Sequence, residues 1–142
     1  MEIKLLKIFE FKTDKIKQEF LSGELDYRLQ IIIYALAGFV YHRYGKGLLF
    51  TEIFRTKETQ DKYYADDPIY KQKKWLSTHQ YWRAADISIR YFTPQEIREI
   101  VIFLKHFSYD VPSKSVVLVH DIGLGAHIHL QVDNTDKTQV TK

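Results

Sequence analysis

An uninterrupted stretch without charged residues constrains the fold of this 142-residue chain more than any other feature. It runs from Leu29 to His42, with His counted as neutral, and is shorter than the ~20 apolar residues that a membrane-spanning helix needs. Apolar side chains recur within it at helical spacing, and Gly45 and Gly47 follow it as a stop signal. The stretch therefore predicts a buried core helix over Leu25 to Tyr44 and no membrane span.

The segment "TPQEIREIVIFLKH" carries the clearest local signal for a second helix. Thr93 is suited to the N-cap, Pro94 to the first helical position, and Glu96 completes a capping box. One apolar stripe then follows at helical spacing, formed by Ile97, Ile100, Val101 and Leu104. A shorter helix is predicted in "RTKETQDKYY", with Thr56 as its cap.

Segments rich in β-formers alternate with these helices. "GLLFTEIF" and "AADISIRYF" predict strands, and two more, Ser115 to His120 and Ala126 to Val132, predict a hairpin turning at "DIGLG". Residues 2–11 fit a strand or a helix equally, and the last ten residues are typical of a polar, frayed tail. We expect an α+β fold, with a small antiparallel sheet and helices packed on it; parallel βαβ winding stays open.

The composition excludes several classes of protein. Cysteine is absent, so the chain has no disulfide framework and no thiolate zinc site, and any metal site must use His and carboxylate. The formal charge of +3 permits an anionic partner, but no nucleic-acid-binding signature is present and no nucleic-acid partner is expected.

The sequence contains no internal repeat and no linker, so residues 1–142 are interpreted as one domain. The N-terminus lacks the pattern of a signal peptide, so we expect the chain to be cytoplasmic as synthesised.

The segment "AHIHLQV" places two histidines on one face of the last predicted strand. Side chains two residues apart point the same way, so His127 and His129 share a face while Ile128 and Leu130 take the opposite one. Two imidazoles beside a sheet core are costly unless something uses them, and a zinc ion is one such user.

The segment "LSTHQYWRAADIS" adds a second pair of candidate ligands, His79 and Asp86. Together with one of the strand histidines they would form a set of two imidazoles and one carboxylate, which leaves a catalytic zinc ion room for water. The ion would lower the pKa of that water from ~15.7 toward ~7 and polarise a substrate carbonyl. The remaining histidine would transfer protons between the water and a leaving amine.

These residues resemble a known family. "S-T-H-Q-Y-W-R-A-A-D-I" looks like the S-x-H-x-x-G-x-A-x-D signature of the zinc D-Ala-D-Ala peptidases, within the lysostaphin, D-Ala-D-Ala metallopeptidase and Sonic hedgehog group, and "H-I-H" resembles that group's H-x-H signature. The resemblance spans roughly residues 48–132, preceded by a predicted N-terminal helical segment. It implies a Hedgehog-like, DD-peptidase-like fold, a Zn²⁺ cofactor held by His79, Asp86 and His129, and His127 as the catalytic partner.

The same resemblance assigns residues to the substrate. "T-E-I-F-R-T" stands where family members carry "S-G-Y-R-S", which implies that Arg55 steadies a substrate carbonyl or carboxylate as a catalytic and substrate-binding residue; a plain surface charge stays the alternative. Ser77 matches the signature, and Trp82, with Trp75 and Tyr81, lines a substrate groove or belongs to the core. Trp82 stands in place of the signature Gly, which predicts a different local backbone path, and "GLGAHIHL" lacks the family's usual carboxylate base.

The expected function is hydrolysis of an amide bond in peptidoglycan peptides, as a D-Ala-D-Ala-type carboxypeptidase or endopeptidase. Action on the wall without an export signal would fit a phage or prophage lysis enzyme that is released or delivered after synthesis. The alternative is a catalytically weak or inactive zinc-containing module of the same fold that binds cell-wall peptide or a protein partner.

Overall fold

The computed structural model describes residues 8–72, 74, 77–107, 115–121 and 126–132, and the helices and strands below are those of this part of the chain. In chain order the elements are β1 (Phe9–Phe11), α1 (Asp14–Leu21), α2 (Tyr27–Tyr44), β2 (Leu48–Glu52), α3 (Lys57–Tyr63), α4 (Pro68–Gln72), a 3₁₀ helix (Thr78–Tyr81), β3 (Ala84–Ser88), α5 (Pro94–Leu104), β4 (Val117–Asp121) and β5 (Ala126–Gln131).

One sheet organises the molecule, with the strand order β1-β2-β3-β5-β4. Strand β1 pairs in parallel with β2, and every other neighbouring pair is antiparallel. The fold is therefore α+β with a mostly antiparallel sheet, as predicted. The parallel strand β1 settles residues 9–11 as strand, where periodicity left strand and helix open.

The two faces of the sheet differ in chemistry. Phe50, Ile87 and Ile128 are fully or almost fully buried and belong to the same core as the apolar side of α2 and α5. Asp86, His127 and His129 alternate with those residues along β3 and β5 and therefore occupy the other face. The sheet thus places a hydrophobic core on one side and a polar cluster on the other.

Helix α2 confirms the predicted core helix and its glycine stop. It begins at Tyr27 rather than Leu25 because the Asp26 carboxylate accepts the Arg28 backbone N–H at 2.9 Å and acts as the N-cap. It ends at Tyr44, and its C-cap is Gly45, whose φ of 66° lies in the left-handed region that glycine adopts without steric cost. Among the described helices, none has the length and apolar character that would let it span a bilayer.

The capped helix α5 is also confirmed. The Thr93 hydroxyl accepts the Glu96 backbone N–H at 3.1 Å, and the Glu96 carboxylate accepts the Thr93 N–H at 2.9 Å, which completes the capping box. Thr56 is the N-cap of α3, where its hydroxyl accepts the Thr59 backbone N–H at 3.2 Å.

Two elements differ from the sequence predictions. The strand predicted through "AADISIRYF" ends at Ser88, because the Ser88 hydroxyl accepts the Arg90 N–H and the Phe92 N–H reaches the Ile89 carbonyl, which turns the chain. Helix α1 was missed; its Phe20 packs on Phe9 and Phe50, with ring centroids 5.1 and 5.2 Å apart. The predicted turn residues 122–125 and the tail at 133–142 lie outside the described residues, as does Trp75.

Candidate metal centre

Three elements bring His79, Asp86 and His129 together on the polar face of the sheet. Asp86 on β3 lies directly opposite His129 on β5, and His79 approaches them from the 3₁₀ helix. Each of the three offers a donor atom, and all of these atoms lie within 4.8 Å of one another. This cluster could hold a metal ion, and its members are the three ligands that the signatures predicted.

The distances within the cluster centre on the Asp86 carboxylate. Oδ1 lies 2.7 Å from His129 Nδ1, and Oδ2 lies 3.2 Å from His79 Nε2. His127 reaches the same carboxylate, with Nε2 at 3.3 Å from Oδ2, so the two strand histidines share one face as predicted. All four side chains are buried, and His79 is only 1% exposed.

The 3₁₀ helix orients His79 toward Asp86. The Ser77 hydroxyl accepts the His79 backbone N–H at 3.2 Å, and the Gln80 side chain closes a capping box on Ser77. The Arg55 backbone N–H donates to the His79 carbonyl at 3.3 Å, which ties the segment after β2 to this helix. Ser77 therefore orients a predicted ligand; its contact with substrate stays a prediction.

Carbonyl oxygens determine which nitrogen of each imidazole faces Asp86. His79 Nδ1 lies 2.8 Å from the Ile53 carbonyl, which can only accept, so Nδ1 carries a proton and Nε2 is the nitrogen that faces Asp86. His129 Nε2 lies 3.1 Å from Gln131 Oε1. The Gln131 amide is oriented by its own donation to the Ser115 carbonyl at 2.9 Å, so its Oε1 accepts the His129 Nε2–H and Nδ1 is the nitrogen that faces Asp86. Because a carboxylate only accepts, Nδ1–H donates to Asp86 Oδ1 in the metal-free protein.

Two imidazole nitrogens and a carboxylate therefore converge, and protons on the imidazoles or a metal ion can lie between them. No described residue donates a hydrogen bond to the buried His79 Nε2. Metal-binding histidines commonly donate their second N–H to a carbonyl or carboxylate, as His79 and His129 do here. Imidazole and carboxylate donors suit zinc and also other divalent first-row ions, so the residues fit a metal without selecting zinc alone.

The pKa shifts of Asp86 and His79 in the metal-free protein also indicate a site that favours a cation. Burial raises the pKa of Asp86, but His79 and His129 oppose it, and the net result holds this pKa far below its ordinary value. Burial lowers the pKa of His79, but Asp86 and Glu52 oppose it, and the net shift is upward. The cluster thus favours positive charge beside the ionised carboxylate, which a proton or a metal ion can supply.

Glu52 is a site residue that the sequence analysis missed. A bulge in β2 between Phe50 and Glu52 lets Phe50 pair with Ile87 on the core side while Glu52 pairs with Asp86 on the polar face. Glu52 Oε1 consequently lies 3.5 Å from His79 Nε2. Strict alternation would have placed Glu52 on the same side as Phe50, so only the bulge reveals it.

The Arg55 guanidinium lies near the cluster, but it already binds Glu52 and Gln60. Its guanidinium makes a bidentate contact with Glu52, and its Nη1 donates to Gln60 Oε1 at 2.7 Å. Its burial, at 4% exposure, shows that it is not a plain surface charge. Its predicted role toward substrate is not visible in these contacts and stays a prediction.

Trp82, in place of the signature glycine, keeps the backbone conformation that a glycine favours. Its φ of 59° is the only positive φ of a non-glycine among the described residues. Its ring stacks on Phe54 at 4.6 Å, and its carbonyl accepts the Asp26 N–H at 2.8 Å. The ring is half-buried, while Tyr81 is 49% exposed, so a substrate-lining role for Trp82 stays a prediction.

The chain matches no protein-family model, and comparisons with curated proteins and with solved structures likewise return no match.

Proposed function

We propose that the protein is a zinc-dependent peptidase that hydrolyses an amide bond in peptidoglycan peptides. The observation that carries the proposal is the convergence of His79, Asp86 and His129 with inward-facing donor atoms and with His127 beside them. Three protein ligands of this type leave a catalytic metal one position for water or substrate. The resemblance to the D-Ala-D-Ala peptidases, carried by these residues in the same order, supplies the substrate class.

Each residue of the site is assigned a role in hydrolysis. His79, Asp86 and His129 would hold Zn²⁺, which supplies Lewis acidity for the scissile carbonyl and acidifies water. His127 takes the proton of the attacking water and returns it to the amide nitrogen, so that a C–O bond forms as the C–N bond breaks and the amine leaves. Arg55 is assigned to the carbonyl oxygen, where a guanidinium stabilises developing negative charge.

A substitution of His127 tests this division. We expect zinc-loaded wild-type protein to clear peptidoglycan in a zymogram, a chelator to abolish clearing, and His127→Ala to lower the rate by about 100-fold or more, the usual effect of losing a general base. Zinc content, measured by elemental analysis, should stay near that of wild type. His42→Ala, at the exposed C-terminal end of α2, is the matched control and should retain full activity.

Clearing that survives the chelator, or no clearing by the zinc-loaded wild type, contradicts the proposal. The second candidate function, a zinc-containing module that only binds cell-wall peptide or a protein partner, is favoured by the burial of His127 at 7% exposure and Arg55 at 4%. It predicts stoichiometric zinc and measurable binding of muropeptides without any cleavage.

A further inference from the structure

The Glu52–Arg55 pair lies at the edge of the candidate metal centre. Both carboxylate oxygens of Glu52 accept from Arg55, and Oε2 also accepts from the Tyr63 hydroxyl at 3.1 Å. The guanidinium is further fixed by Gln60 and by the Tyr63 ring, whose centroid lies 4.8 Å away. Four side chains thus hold each other in one arrangement, with Glu52 turned toward His79.

This arrangement decides which substrate group Arg55 can bind. Three of the five guanidinium N–H groups are used by Glu52 and Gln60. One N–H remains on each terminal nitrogen, so a free peptide carboxylate would have to share the single guanidinium charge with Glu52. Glu52, only 15% exposed at its side chain and paired with Asp86 across the strands, already neutralises that charge, so a further carboxylate would be added without a cation of its own, which is unfavourable.

A carbonyl oxygen could accept a hydrogen bond from Arg55 without adding a negative charge to the Glu52–Arg55 pair. It is neutral, it needs a single N–H, and the Glu52–Arg55 pair has no net charge with which to attract a carboxylate. We propose that the centre selects internal amide bonds of peptidoglycan peptides, as an endopeptidase, and discriminates little in favour of a substrate with a free C-terminal carboxylate next to the scissile bond. This inference rests on the proposed function and specifies its substrate class.

A matched pair of peptides tests the inference on the wild-type protein. One is a stem peptide ending in D-Ala-D-Ala with a free carboxylate, the other the same peptide with a C-terminal amide, and a cross-linked muropeptide dimer supplies an internal bond. We expect amidation to change kcat/KM by less than about threefold, because no charge-assisted hydrogen bond is lost. A carboxylate-anchored enzyme would lose about tenfold or more.

Binding supplies a second measurement that does not depend on turnover. Calorimetric titration of both stem peptides into zinc-loaded His127→Ala protein should give dissociation constants within about threefold of each other, for the same reason. A clear preference for the free carboxylate in either measurement overturns the inference.

Releasing Arg55 from the charge of Glu52 should make the protein prefer the peptide with a free carboxylate. Glu52→Gln removes the competing charge while keeping the shape, and we expect the ratio of kcat/KM for the carboxylate peptide over the amide peptide to rise by about tenfold. Glu58→Gln makes the same charge change at an exposed position of α3 and should leave the ratio unchanged. An unchanged ratio in a folded Glu52→Gln protein also overturns the inference, and the wild-type comparison decides it if that variant does not fold.

The outcomes separate this inference from the proposed function. If neither stem peptide nor dimer is cleaved by zinc-loaded protein, the proposed function fails and the inference with it. If the dimer resists cleavage while the free stem peptide is trimmed, peptidase function stands and endopeptidase selectivity alone is wrong.

Discussion

Orientation of two imidazole rings is the feature on which the candidate centre depends at the scale of single residues. The Ile53 carbonyl and the Gln131 amide each accept an imidazole N–H, so the opposite nitrogens face Asp86. A ligand held this way loses little rotational freedom when a metal binds, and the hydrogen bond raises its basicity. Residues that touch no metal should therefore contribute measurably to metal affinity.

Gln131 provides the residue-scale prediction. Gln131→Ala removes the nearer acceptor of the His129 Nε2–H and leaves Thr78 Oγ1 at 3.4 Å, and we expect zinc affinity to fall about tenfold or more. Competition with a chromogenic chelator measures the dissociation constant.

Two further variants make this test specific. Gln131→Glu keeps an acceptor near His129 and should retain more affinity than Gln131→Ala. Gln95→Ala, exposed on α5, removes the same side chain away from the centre and should behave as wild type. Equal affinities for wild type and Gln131→Ala would show that Gln131 does not orient His129.

At the scale of elements, the 3₁₀ helix and the bulge in β2 bring side chains to the centre that regular structure would direct elsewhere. The helix lasts only four residues and ends in the left-handed conformation of Trp82. The bulge moves Glu52 onto the face of Asp86. Both are local irregularities, and each is held by tertiary contacts such as the Trp82–Phe54 stack.

Trp82 yields the element-scale prediction. Trp82→Ala and Trp82→Gly both lose the stack on Phe54, but only alanine keeps a Cβ in the left-handed region. We expect Trp82→Gly to be more stable than Trp82→Ala by about 1 kcal/mol, the reverse of the order inside a helix. Urea denaturation of the two proteins measures the difference. A Trp82→Ala protein at least as stable as Trp82→Gly would mean that the backbone relaxes out of this conformation.

At the scale of the whole molecule, the centre connects parts of the chain that are far apart in sequence. Its residues come from the 3₁₀ helix, β3 and β5, and Glu52 adds β2. A ligand that binds only the folded arrangement stabilises the whole fold by mass action. Metal binding should therefore appear as a change in global stability, and that change should depend on pH.

The pH dependence follows from the two pKa shifts. The lowered pKa of Asp86 contributes stability above its unfolded value of about 4, and this contribution is lost as pH falls through the folded pKa. The raised pKa of His79 contributes stability below about pH 6.5, and this contribution is lost as pH rises through the folded pKa. The metal-free protein should therefore lose stability above about pH 6.5.

Zinc should reverse this trend, because it replaces the proton on the imidazoles and binds more tightly as pH rises. We expect the zinc-induced increase in Tm to grow between about pH 5.5 and pH 8, while Tm in chelator declines over the same range. Differential scanning calorimetry measures both curves, and His129→Ala should abolish the zinc effect. A zinc-induced shift that is constant or falls with pH would contradict the ligand set.

Much of the local structure follows from short-range chemistry and could be predicted. The capping box of Thr93 and Glu96 satisfies backbone donors within three residues, and Gly45 ends α2 through its own backbone freedom. The common face of His127 and His129 follows from the two-residue period of a strand. The family-like spacing of His79 and Asp86 added the remaining candidate ligands.

The surroundings of the centre could not be predicted, because they depend on register and on contacts between distant segments. The amino-acid sequence by itself determined α2, α3 and α5 with their caps, the alternation of β5 and the three candidate ligands. Only the tertiary structure decided that Glu52 joins them, that Arg55 is occupied by Glu52, and that Gln131 and the Ile53 carbonyl orient the imidazoles. A bulge shifts a strand by one residue and exchanges its two faces, and no local pattern around residue 52 records that shift.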